Sequence, residues 1–148
     1  MVSHKDVLDK VIVELKSMDL TGFGFKASDI KYTDFPFHMQ PSFGLLVSPL
    51  DETEGESTNE TTDIGYPVQL VRCGHKLDPT GGITGRDAWR RAVWRRFNRV
   101  RLGVSDDDGC ELITRSEFLK LQMKDTWDKW NLDSSALKVV VWIRELHN

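Results

Sequence analysis

Residues 43–74 read FGLLVSPLDETEGESTNETTDIGYPVQLVRCG, and how this stretch is divided decides the fold. Two apolar runs, Phe43 to Leu50 and Ile64 to Cys73, have the length and the β-branched and aromatic content of strands. Between them the thirteen residues 51–63 carry Asp51, Glu52, Glu54, Glu56, Glu60 and Asp63 and no base. A hairpin needs only two residues to reverse the chain. The pattern therefore predicts two paired strands joined by an extended acidic hairpin loop over 51–63, and a loop that long is the first place to seek function.

Outward from this hairpin the order is helix, two strands, helix, two strands. Val7, Leu8, Val11, Ile12 and Leu15 recur at helical spacing, with Asp6, Asp9, Lys10, Glu14 and Lys16 on the other side and Ser3 as N-cap. Pro36 and Pro41 mark DFPFHMQPSFG as irregular connection into the first long strand. A second helix is expected over about residues 85–100. Trp89, Val93, Phe97 and Val100 fall in an arc of about 80°, with Ala92 on its edge and Trp94 outside it, while Arg91, Arg95 and Arg99 project oppositely. Thr84 or Gly82 would cap its start, Asp87 would favour its first turn, and Gly103 would follow its end. Glu111 to Leu119 and Leu137 to Leu146 read as two further strands, with a helical turn over 124–131 between them. This order, αββαββ, predicts a two-layer α+β domain, mainly antiparallel or mixed in its sheet, occupying residues 1–148 as one unit.

Net charge is -3, which gives no global attraction to nucleic acid, so the electrostatic argument rests on distribution. Residues 86–101 hold seven arginines (86, 90, 91, 95, 96, 99 and 101) against Asp87 alone, +6 to set against the -6 of the acidic loop. The arginine helix has three readings: it lies on phosphates, it meets an acidic surface on another subunit, or it is a solvated face. The opposite charges of loop and helix favour self-assembly over nucleic acid.

Catalytic and metal patterns are weak. His4, His38, His75 and His147 are scattered, Cys73-Gly-His75 offers at most two adjacent ligands, and Asp106, Asp107 and Asp108 lack the spacing of a calcium loop. Glu117 and Lys120 have no partnered acid, and GGITG at 81–85 lacks the Gly-Lys-Ser/Thr ending of a phosphate loop. No cofactor, no metal and no enzymatic activity are expected. Cys73 and Cys110 read as reduced thiols, and the charged N-terminal pattern predicts folding in the cytoplasm with neither an export signal nor a membrane contact.

Val47-Ser48-Pro49 at a strand end, Thr58-Asn59-Glu60 close to Asp63, and Gly65-Tyr66-Pro67-Val68 opening the next strand resemble the tail terminators and related head-to-tail neck proteins of tailed bacteriophages. The motif resemblance spans about Val7 to Val71, and the loop has Ser57-Thr58-Asn59 where that family often has Gly-Thr-Asn. The resemblance implies a structural virion subunit at the head-tail junction, forming a homo-oligomeric, usually hexameric, ring that caps the tail tube. Its partners would be further copies of itself, the tail tube protein and a head connector or adaptor, with genomic DNA passing through the channel. The competing expectation is a small nucleic-acid-binding domain using the arginine-rich helix 86–101.

Overall fold

A computed structural model describes residues 2–23, 25–32, 44–74, 83–104, 109–119 and 133–147. Helix α1 (His4–Ser17) begins where the Ser3 hydroxyl accepts the Asp6 N–H and the Asp6 carboxylate accepts the Ser3 N–H, a reciprocal capping box. Its buried stripe is Val7, Leu8, Val11 and Leu15. Strands β1 (Ile30–Tyr32), β2 (Gly44–Pro49), β3 (Thr53–Ser57) and β4 (Thr61–Gly74) follow, then helix α2 (Ile83–Phe97) and strands β5 (Gly109–Glu111), β6 (Arg115–Leu119) and β7 (Asp133–Leu146).

Among the described residues seven strands form one mixed sheet in the order β1-β2-β4-β7-β5, with β3 also on β4 and β6 also on β7. Of these pairs β1 and β2 run parallel and the others antiparallel. The fold is α+β, as the pattern predicts, with three short strands beyond the expected order. The spine is β4 against β7, paired without a break from Thr61↔Leu146 to Gly74↔Asp133.

Both outer ladders slip by one residue midway. β2 runs to Pro49↔Val68 and β3 resumes at Thr53↔Gly65, with a further irregularity between Glu54 and Ser57. On the other edge, Glu111↔Ile143 gives way to Arg115↔Val140 across residues 112–114. The expected strand 111–119 is thus two strands separated by an inserted residue, which bends the edge. Pro67 sits inside central β4, a place normally closed to proline. Its carbonyl accepts from Leu50 at 3.1 Å, so its missing N–H faces the β2–β3 break, where no ladder donor is needed.

Side chains alternate across β4 and β7. Tyr66, Val68 and Leu70 of β4, Leu137, Val139, Val141 and Ile143 of β7, and Leu45 and Val47 of β2 share one core with the stripes of both helices. In α2 that stripe is Trp89, Val93 and Phe97, all fully buried, while Val100 is half-buried beyond the end of the helix. Glu14 of α1 and Arg96 of α2 pair at 2.6 Å, a part-exposed link between the two helices. α2 starts at Ile83, so Thr84 lies inside it and does not cap it. Gly82, the helical turn expected over 124–131, His38, His75, Asp106 to Asp108 and Lys120 lie outside the described residues.

Candidate functional site

The acidic stretch is not a loop. Residues 53–57 form β3, residues 61–63 belong to β4, and only Thr58 to Glu60 turn the chain. Thr58 N–H donates to the Thr61 carbonyl at 2.8 Å, and the Thr58 hydroxyl accepts from Glu60 and Thr61 N–H at 3.2 and 3.0 Å. His147, just past β7, braces this tip: its N–H donates to Glu60 O at 2.7 Å, and its ring touches the Asn59 carbonyl and the Thr62 hydroxyl. Threonines that satisfy the turn internally and a long β7 alongside overcome the poor strand propensity of the acids.

The six carboxylates do not share one environment. Asp63 is buried, and Arg144, its direct register partner on β7, grips it with two bonds of 2.7 and 3.0 Å. The Arg144 hydrogen bonds hold the Asp63 carboxyl below the usual range, and Asp63 raises Arg144 in turn. Asp63 is therefore an anchor within the sheet and not a contact residue. Glu52 is held below the usual range by its own backbone N–H and by the His4 ring 3.2 Å away. His4 also reaches the Pro67 carbonyl at 2.8 Å, tying the start of α1 to the base of the hairpin. Asp51, Glu54, Glu56 and Glu60 are exposed and form no ion pair with described residues.

Trp142 is the residue the acidic reading missed. It pairs with Gly65, and its indole lies across both Gly65 and Gly55. A Cβ at Gly55 would come within 2.8 Å of the ring and one at Gly65 within 3.0 Å. The two glycines are the gap into which the indole fits, an aromatic covering of bare strand backbone. This contact and the Asp63–Arg144 pair secure the distal hairpin arm.

The arginines also divide. Arg96 is spent on Glu14 and on the Ser17 hydroxyl, and Arg90 stacks 4.6 Å from the Phe118 ring centroid. Arg91, Arg95 and Arg99 are exposed, as are Arg101 and Arg115, and none pairs with a described acid. Arg99 closes α2 in the left-handed region at φ 58. It is held there because its N–H donates to Thr114 O at 2.7 Å while Thr114 N–H donates to Val100 O at 2.9 Å. The next residues hang on buried Glu111, whose carboxylate accepts from Leu102 N–H and from Gly103 and Val104 N–H at 2.7 and 2.8 Å. The strand break at 112–114 and the end of α2 thus position each other.

Between this junction and the arm lies an open concavity of about 1060 Å³. Arg99, Arg101 and Arg115 line it together with Trp142, Val140, Glu56, Asp63 and Glu117. Asp63 is neutralised by Arg144 and Glu117 by Lys138 at 3.0 Å. The three arginines form no ion pair with a described acid, and Glu56 adds to the negative field that raises Arg144.

The residues that carry the family resemblance have local folding roles. Val47 is buried in the core, Pro49 ends β2, and Thr58 and Asn59 form the tip. Gly65 lies under Trp142, and buried Tyr66 donates to the Val2 carbonyl at 3.2 Å. Among the described residues no three His, Cys, Asp or Glu side chains are grouped to hold a metal, and no helix is long and apolar enough to cross a membrane. Cys110 is exposed and unpaired. No protein-family model and no curated protein matches the chain.

Proposed function

We propose that this chain is a structural subunit of a phage neck, most closely the tail terminator, acting as a homo-oligomeric ring of six copies around a DNA channel. The observation that carries this reading is self-complementarity between separate surfaces: an arm with exposed Asp51, Glu54, Glu56 and Glu60, and exposed arginines at Arg91 and Arg95 on α2 and at Arg99, Arg101 and Arg115 around the concavity, none of them in an ion pair with a described opposite charge. Two different patches that attract each other make a head-to-tail contact, which closes into a ring when the rotation allows. The outer strand β3 adds an exposed edge over its five residues. In this role the ring caps the tail tube, meets the head connector, and keeps acid near the DNA path so that phosphate slides.

Electron microscopy of a lysate in which the gene is interrupted tests the reading. Filled heads without tails, beside free tails of abnormal length that recover when purified protein is added, are expected. Normal particles would refute it. The same unpaired arginines favour a second reading, a nucleic-acid-binding domain. Duplex binding that weakens steeply as salt rises would select it, because each neutralised phosphate releases counterions.

A further inference from the structure

We infer that the concavity beneath the end of α2 is the receptor for the acidic arm of a second copy, with Arg99, Arg101 and Arg115 binding its carboxylates. The inference rests on the ring-subunit reading and moves the contact from the middle of the arginine helix to its end. Three elements bring these arginines to the lining of one depression: the left-handed residue that closes α2, the segment pinned by Glu111, and β6. Exposure along Arg91 and Arg95 is that of a single helix face. The concavity instead groups three arginines with half-buried Trp142 and half-exposed Ile113.

Charge complementarity identifies the occupant. Asp63 and Glu117 on the wall already have Arg144 and Lys138, so the depression keeps three positive charges against Glu56. The arm carries the matching excess: Glu54 and Glu60 are exposed and unpaired among the described residues, and the tip is narrow, a three-residue reversal between β3 and β4. Planar guanidiniums suit carboxylates bidentately. The arm cannot fill its own concavity, because Trp142 and the Asp63–Arg144 pair fasten it along one wall. A neighbour's tip can.

Sedimentation velocity of the purified chain, over a range of ionic strength, tests this with two variants. One is Arg101→Glu with Arg115→Glu, which spares the backbone of Arg99; the other is Glu54→Lys with Glu60→Lys. Each alone should weaken assembly at least about tenfold, since like charges face each other across the contact. An equal mixture of the two should assemble again, because each arm then meets a receptor of opposite charge. Circular dichroism verifies that both variants are folded, and failure of the mixture to reassemble overturns the inference. If both variants assemble as the parent does, the inference falls and the ring reading stands on another surface. A parent that stays monomeric at all concentrations removes both. Binding of a 16-base-pair duplex by the monomeric parent, lost in the arginine variant, would assign the concavity to nucleic acid and refute the inference.

Discussion

Replacing Gly55 by alanine should destabilise the parent chain, yet stabilise one that lacks the Trp142 side chain. The backbone of Gly55 lies outside the left-handed region, and its added Cβ would meet Trp142 at 2.8 Å, with Asp63 atoms no closer than 3.4 Å. Carbon contacts are optimal at about 3.5–4.0 Å. The rigid indole must therefore tilt off β3 and β4, an overpacking cost of about 1–3 kcal/mol. Without the ring, the same alanine only restricts the unfolded chain and stabilises by about 0.4–1 kcal/mol. The coupling between the two sites is then about 1.4–4 kcal/mol, from a double-mutant cycle of Gly55→Ala and Trp142→Ala. Urea unfolding of the four proteins supplies the free energies, and hydrogen exchange of residues 53–65 locates the effect on the arm. Additive effects of the two substitutions would refute the packing argument.

Two further predictions concern buried carboxylates. The Asp63 carboxyl is depressed by Arg144, so its contribution is present above its ordinary value of 3.8 and is lost as pH falls through the lower folded value. Asp63→Asn should flatten the acid side of the stability curve, costing about 1 kcal/mol near neutrality because half-exposed Arg144 is screened by solvent; parallel acid curves for the two proteins would contradict this. Glu111→Ala removes the acceptor of three backbone N–H groups, of which only that of Val104 is on a buried residue, and should cost about 2–4 kcal/mol. Thermal melts measure that loss, and faster exchange at residues 102–104 with Arg99 and Arg101 displaced would connect it to the concavity.

Several elements were legible in sequence because their signals are local. Ser3 and Asp6 cap α1 within one turn, the stripes of α1 and α2 repeat at 3.6 residues, and the β-branched run in β7 needs no partner to be recognised. Exposure of Arg91 and Arg95 follows from the same helical period, whereas Arg99 lies past the end of α2 in the left-handed region. The candidate site was less legible. Six acids in thirteen residues read as a solvated loop because strand propensity for acids is poor, and nothing local announces that the end of β7 pairs with Thr61 to Asp63.

By itself, then, the sequence determined the α+β class, the two helices with their buried faces, the long strands and the opposition of an acidic segment to a basic one. Tertiary structure decided which charges find partners within the chain: Asp63 with Arg144, Arg96 with Glu14 and Glu117 with Lys138, while Glu52 is hydrogen-bonded to His4. It also decided that one-residue slips in both outer ladders leave a concavity between the arm and the end of α2, with Arg99, Arg101 and Arg115 around it. Periodicity is encoded within an element and can be read there. Ion pairing and strand register depend on which residues long-range pairing sets opposite one another, so they exist only once β4 and β7 have met.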